Sequence, residues 1–405
     1  MPEIIFHVDV NSAYLSWSAI RRLENGDTLD LRLIPSIIGG DQTNRRGVVL
    51  AKSIPAKVYG IVTGEPVVSA LRKCPSLVLE PPDHQFYDEC SHRLMEFLYT
   101  YTSDVEQLSV DECFLDFGPI AHRYSSAQEA AQQIKDSIRE KLGFTVNIGI
   151  APNRLLAKMA SDFQKPDRIH TLFPEEIPVK MWPLPVRDLY MVGQASAKRL
   201  ELLGLRTIGD LAAADVGFLT SHFKSHGRQM WEYANGIGSA RVDSEQAAVK
   251  GIGNSTTLKE DADTPEKAKK VFLELAETVS RRLRRANKFA GSISIEIKYH
   301  TFDTRSHQTT LPAASHTTQT LYMFACQLFD ELWDGRPIRL LGIRTAKLTE
   351  ENTPVQLSLF DLQGQQKASQ QEAKQQKLES ALDSIRNRYG KDAVVRGSSL
   401  EKESE

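Results

Sequence analysis

Apolar and polar positions along the chain follow two periods. Short runs rich in branched and aromatic residues, "EIIFHVDV" (3–10), "VEQLSVDECFLDF" (105–117) and "FTVNIGIA" (144–151), read as strands, whereas "HQFYDECSHRLMEFLYTYT" (84–102) and residues 125–142 carry helical spacing. Two short strands fit within 105–117. The order is therefore β, α, β, β, α, β, that of a split-βαβ, ferredoxin-like unit with about 60 residues inserted after its first strand. In that topology the first and third strands are central antiparallel neighbours, so Asp9, which ends the first, lies beside the turn that joins the second and third. Asp111 and Glu112 sit at that turn.

Adjacent carboxylates are costly in a segment otherwise rich in Val, Leu, Phe and Cys. On a regular strand, positions 111 and 112 point to opposite faces, so a shared site requires the irregularity of a turn. Three carboxylates brought within a few Å repel one another and raise one another's pKa unless a cation neutralises them. An oxygen-only donor set of this kind suits Mg²⁺ or Mn²⁺. Two such ions about 4 Å apart activate an attacking hydroxyl and stabilise a leaving phosphate, the chemistry of polymerases, nucleases and nucleotide cyclases. An exposed acidic hairpin tip is the alternative reading of the same residues.

Length and composition narrow the field further. A chain of 405 residues exceeds one comfortable core and implies two to four domains. The net charge of -2 argues against a uniformly basic nucleic-acid binder, although a balanced total hides segregation. Residues 250–349 carry sixteen Lys and Arg against eleven Asp and Glu, so the charge is segregated. Cys74, Cys90, Cys113 and Cys326 form no C-x-x-C pair, which disfavours a zinc cluster and a disulfide framework and fits a reducing, cytoplasmic setting. No signal-peptide pattern and no apolar run of about 18 residues is found, so neither export nor membrane insertion is expected.

Four stretches carry a family resemblance: "FHVDVNSAY", "LSVDECFLD", "NIGIAPNRLLAKMASDFQKPD" and "LRTIGDL". In order over about 1–348, they closely resemble Y-family translesion DNA polymerases, especially the bacterial DNA polymerase IV branch. The resemblance implies an α+β multidomain protein: a ferredoxin-like palm (1–17 and 77–168), small fingers (18–76), a helical thumb (169–240) and an α+β little finger (241–349), followed by a tail (350–405). It further implies that Asp9, Asp111, Glu112 and the backbone carbonyl of Val10 hold two Mg²⁺ ions, with Mn²⁺ a substitute. Tyr14 falls where the family has an aromatic steric gate against a ribose 2′-hydroxyl, and Lys165 where a lysine contacts the triphosphate. A helix-face core aromatic and a solvated lysine are their alternative readings. In the fingers the family usually presents a Tyr and an Arg to the triphosphate. Here Ile54 and Lys57 stand instead, so charge is retained without a bidentate fork. Asn11 replaces an acid common in many relatives, yet the catalytic polymerase V subunit family also has D-V-N at this point.

"VRDLYMVGQASAKRLELLGLRTIGDLAAAD" (186–215) reads as turn, helix, stop at Gly204 and second helix, resembling the thumb's helix-hairpin-helix, which holds a DNA phosphate through turn amides. Gly193 and Lys198 are the expected contacts. Met191 occupies the first glycine of the usual G-x-G, leaving Gly193 as the flexible position. A simple helical packing pair is the alternative. "SRRLRRANK" (280–288) lies on an expected helix, while "GSISIEIKYHTF" and "RLLGIRTAKL" alternate as strands that bury one face and offer the other to phosphates. Beyond 349 a Gln-rich segment is interrupted by one apolar pentad, in which Gln356, Leu357, Leu359 and Phe360 resemble the peptide by which bacterial polymerases bind the sliding clamp, its β subunit. A strand folding back on the little finger is the alternative. Leu378, Leu382, Ile385 and Tyr389 then mark an amphipathic helix whose apolar face is expected to dock. The reading is a monomeric, template-dependent, low-fidelity DNA polymerase that adds dNTPs to primer-template DNA and has no proofreading exonuclease. A nucleotide cyclase built on a similar palm and a catalytically silent clamp-associated scaffold are the rival classes.

Overall fold

The computed structural model describes residues 3–40, 47–245, 248–350, 362–390 and 393–394. The chain divides into two compact units, residues 1–246 and 247–405. In chain order the first begins with β1 (Ile5–Val10), α1 (Ala13–Glu24), β2 (Ser36–Gly39), β3 (Val49–Lys52), α2 (Ile54–Val58), α3 (Val67–Lys73) and β4 (Val78–Glu80). It continues through α4 (His84–Tyr99), β5 (Val105–Gln107), β6 (Glu112–Asp116), α5 (Ala127–Leu142), β7 (Val146–Ala151), α6 (Arg154–Asp162) and β8 (Ile169–Thr171). Four helices close the unit: α7 (Gln194–Leu202), α8 (Ile208–Ala213), α9 (Val216–Phe223) and α10 (Ser225–Ala234).

Five strands form the main sheet in the order β5-β6-β1-β7-β8, with β1 antiparallel to both β6 and β7. The edge strand β8 pairs with β7, so this sheet extends past residue 168, where the sequence suggests that the palm ends. The inserted segment makes its own sheet, β3-β2-β4, which runs to residue 80.

Register explains why β1 is buried at every position. Phe6, Val8 and Val10 line one face with Cys113 and Leu115 of β6 and Val146, Ile148 and Ile150 of β7, and α1, α4 and α5 pack there. The opposite face carries Ile5, His7 and Asp9, opposed by Asp116, Phe114 and Glu112 on one side and by Ala151, Gly149 and Asn147 on the other. It changes along the strands from apolar around Ile5, Phe114 and Ala151 to polar around Asp9, Glu112 and Asn147. Helix α6 lies directly on it. A Cβ at Gly149 would come within 1.9 Å of the Ala157 carbonyl, so only glycine permits that approach. The apolar end of this face continues into the core of the four closing helices.

The second unit is a four-stranded antiparallel sheet ordered β11-β10-β12-β9, built from β9 (Gly251–Ala262), β10 (Phe289–Tyr299), β11 (Thr304–Ser315) and β12 (Ile338–Thr349). Helices α11 (Pro265–Arg285) and α12 (Thr318–Leu332) cover one face, where Ile293, Ile295 and Ile297 meet Phe272, Val279, Leu321 and Phe329. The alternate residues Ser294, Glu296 and Lys298 therefore face away. A final helix, α13 (Leu362–Tyr389), docks in a manner that its apolar spacing does not suggest. Leu378, Ile385 and Tyr389 are exposed. The contact is made by the charged side: Glu379, buried, pairs with Arg284 and accepts from the Thr318 backbone N–H at the start of α12, and Asp383 meets Arg284 at 2.7 Å. A buried guanidinium and the first amide of α12, which the Thr317 cap leaves to find another acceptor, need an anion more than the apolar stripe needs a groove.

Candidate active site

The turn between β5 and β6 resolves the problem of adjacent carboxylates. Leu108 and Ser109 both turn their amides to the Glu112 carbonyl, and the Asp111 carbonyl accepts from the Val10 amide at 3.0 Å. Asp111 thus belongs to the turn, while Glu112 opens β6 directly opposite Asp9. The three acids share one end of the sheet, at the polar end of the face that α6 covers.

Each carboxylate is engaged by a different partner. Lys165 lies 3.0 Å from Asp9 and 2.8 Å from Asp162. Lys158 of α6 donates to Glu112 at 2.6 Å, and the Ser109 hydroxyl donates to Asp111 at 2.6 Å. Burial pushes the Asp9 carboxyl up to about 6 even with Lys165 beside it. Burial also opposes ionisation of Glu112, but His7 and Lys158 hold it at about 2. Of these two, Lys158 dominates physically, because His7 Nε2 stands 3.6 Å away, too far for a hydrogen bond, and burial lowers the His7 pKa. His7 is anchored on its other side, Nδ1 lying 2.8 Å from the Ser161 hydroxyl. Lys165 is itself partly desolvated, yet Asp9 and Asp162 raise its pKa.

Among the described residues no three His, Cys, Asp or Glu side chains are grouped closely enough to hold a metal ion. The backbone register brings Asp9, Asp111 and Glu112 to one end of the sheet, but their side chains turn to Lys165, Ser109 and Lys158 and do not converge as the sequence suggests. The donor set is nonetheless all oxygen, and the Val10 carbonyl lies on the same strand, a chemistry suited to a hard divalent cation.

Tyr14 occupies the second position of α1, five residues beyond Asp9. Its ring stacks on Tyr87 at 4.5 Å and 11° and meets His84 edge-on at 5.9 Å. Burial, together with Asp111 and Asp88, raises its phenol pKa. Lys57 is exposed on the short helix α2, as is Ile54, and no ion pair holds Lys57 among the described residues. It is not drawn to Asp9 as Lys165 is.

In the helical part of the first unit, Gly193 caps the N-terminus of α7 with φ -73°, an ordinary value, and the left-handed conformation falls on Met191, φ 69°. The expected flexible position is therefore displaced by two residues, at a cost to the non-glycine residue of about 1–2 kcal/mol. Lys198 is exposed on α7 beside Glu201, Leu202 and Arg206, and Leu202 is 88 % exposed. In the second unit, the open sheet face forms a shallow depression of about 840 Å³ lined by Ser255, Ser294, Ser306, Gln308, Glu296 and Arg344, among others. Its hydroxyls outnumber its charges. Much of the basic excess lies on α11, and Arg284 there is neutralised within the unit. Gln356, Leu357, Leu359 and Phe360 lie outside the described residues. All four cysteines are free, and among the described residues no helix is long and apolar enough to cross a membrane.

The sequence reading misses Lys158, Asn147 and the environment of Asn11. Lys158 and Ser161 interrupt the apolar run "LLAKMAS", and that interruption was the available signal.

Comparison with known proteins bears on the chain as a whole. Residues 8–162 match the model of the impB/mucB/samB family, and residues 249–359 match that of the impB/mucB/samB family C-terminal domain. The chain is 45 % identical over 403 residues to DNA polymerase IV of Clostridium acetobutylicum, covering 100 % of both chains. It is 36 % identical over 403 residues to DNA polymerase IV 1 of Bacillus subtilis, covering 99 % of this chain and 94 % of that one. Among solved structures, a chimeric Y-family DNA polymerase superposes with a TM-score of 0.74 at 22 % identity, over 86 % of this chain and 100 % of that one.

Proposed function

The chain belongs to the impB/mucB/samB family and is a DNA-directed DNA polymerase of the Y-family, DinB type, and from that premise we propose that it extends a primer 3′-hydroxyl with dNTPs across damaged template DNA, at low fidelity and without a proofreading exonuclease. The family assignment decides against the nucleotide cyclase and the silent scaffold. One observation carries the mechanistic reading: β1 and β6 set Asp9 opposite Glu112 and bond Val10 to Asp111, with Lys165 at the same edge.

In this reading Asp9, Asp111, Glu112 and the Val10 carbonyl hold two Mg²⁺ ions. Bound there, Mg²⁺ supplies Lewis-acid activation of the primer hydroxyl and neutralises charge on the triphosphate. The primer oxygen forms its bond to the α-phosphorus as pyrophosphate leaves. Lys165 exchanges its carboxylate partners for phosphate oxygens, Lys57 contributes a more distant charge, and the Tyr14 ring opposes a 2′-hydroxyl. Gly193 and Lys198 hold a duplex phosphate without reading sequence, and the open face of the second unit adds a further grip. The tail peptide Gln356–Phe360 recruits the sliding clamp. The protein works as a monomer in the cytoplasm.

Primer extension on intact and damaged templates, with and without Mg²⁺, tests this directly. Asp111→Ala and Glu112→Ala are each expected to lower extension by about 10³-fold or more while DNA affinity stays within a few-fold. Near-parental extension by either variant removes that residue from the site.

A further inference from the structure

Asn147 is fully buried in β7, opposite Asp9, yet it is polar and takes no part in the chemistry described above. Its side-chain amide uses all four hydrogen-bonding valences. Nδ2 donates to the carbonyls of Ser161 at 2.9 Å and Gln164 at 2.7 Å, and Oδ1 accepts from Asn11 Nδ2 at 3.1 Å and the Arg168 amide at 3.1 Å. Asn11 extends the same hold: its Oδ1 accepts from the Asp167 amide at 2.8 Å and the Thr145 hydroxyl at 2.9 Å.

Two side chains thus grip the backbone on both sides of Lys165, through residues 161 and 164 before it and residues 167 and 168 after it. A lysine ammonium on a four-carbon stem is loosely directed by itself, and its reach depends on where its Cα is fixed. Here the Cα is fixed from within the sheet that carries Asp9. Breaking the buried amide would strand several desolvated polar groups, so the arrangement has little freedom to drift.

We propose that Asn147, together with Asn11, is a positioning residue for Lys165, setting the place from which that ammonium meets the triphosphate of the incoming nucleotide. The inference rests on the reading of Lys165 as a triphosphate contact. It assigns Asn147 an effect on nucleotide binding and not on bond formation. If the buried amide served only to satisfy the core, its replacement would instead weaken the fold and lower the amount of active enzyme, leaving the nucleotide KM unaltered.

The test is steady-state primer extension at varied dNTP concentration for the parent, Lys165→Ala, Asn147→Leu, Asn11→Ala and the two double variants with Lys165→Ala, each first checked for a cooperative thermal transition. Asn147→Leu and Asn11→Ala are expected to raise the dNTP KM about tenfold with kcat within about threefold, and to add almost nothing once Lys165 is already Ala. Should Asn147→Leu fail to fold, the Asn11→Ala pair decides alone. If Lys165→Ala leaves the KM unchanged, the triphosphate reading fails and the proposal fails with it. If Lys165→Ala raises the KM but the asparagine variants do not, or add their full effect in its absence, the reading of Lys165 stands and the positioning role is overturned.

Discussion

Asp9 carries a carboxyl that burial holds at about 6, against 3.8 for the ordinary side chain. A group whose folded pKa lies above its unfolded one binds more protons when folded between those two values. Stability therefore falls as pH rises from about 4 to 6, and the full penalty applies above that. Asp9→Asn removes the charge and keeps the shape. It is expected to be more stable than the parent by on the order of 2 kcal/mol at pH 7.5 in chelator, with the gap closing near pH 4. Thermal melts of both proteins across that range measure it, and an unchanged gap at acid pH would point to a cause other than the buried charge. Tyr14 tests a different kind of residue effect. The stacking on Tyr87 and the edge contact with His84 fix the ring, so exclusion by shape is available without added attraction. Tyr14→Ala should raise ribonucleotide incorporation by about 10²-fold or more, whereas Tyr14→Phe should stay selective. Single-nucleotide insertion with dNTP and rNTP compares them, and persistent rejection of ribonucleotides by the alanine variant would move the gate elsewhere.

Elements show how local pattern and tertiary demand divide the work. Strands β1, β6 and β7 follow directly from their apolar runs, but which acids meet depends on register, and one residue of slip would turn Asp9 to the opposite face. Helix α13 illustrates the reverse case. Its helical spacing is legible in the sequence, yet the side that docks is charged, because Arg284 and the first amide of α12 offer a buried site for Glu379. Removing Glu379 leaves Arg284 with Asp383 as its remaining acidic partner and strands the buried Thr318 amide, at a cost of about 3 kcal/mol. Glu379→Ala should therefore free the helix and raise its susceptibility to trypsin by about 100-fold, read as cleavage near Lys377 and Arg386 by mass spectrometry. Cleavage at the parental rate would show that other contacts suffice. The α7 turn is a third case, in which glycine chemistry points to residue 193 and the backbone places the left-handed position at Met191.

At the scale of the molecule, two units share one chain, and the family match spans both. The proposed recruitment by the sliding clamp belongs to this scale, because a tether raises local concentration without altering the chemistry at the primer end. Replacing Leu359 and Phe360 by Ala should leave distributive synthesis unchanged and lower clamp stimulation at least tenfold, by about the loss of that local concentration. A double variant that responds to the clamp as the parent does would make the pentad merely structural. The sequence by itself determined the alternating and helical periods, the βαββαβ order, the turn that carries Asp111 and Glu112, and the family motifs around Tyr14 and Lys165, since each is written in residues close together along the chain. Only the tertiary structure decided that Lys158 and Lys165 divide Glu112 and Asp9 between them, that Asn147 and Asn11 grip the loop around Lys165, and that α13 docks by its acids. Those contacts join residues tens of positions apart. Their energies come from desolvating charges and amides that no periodicity records, so they become visible only when the sheet has brought its polar end together.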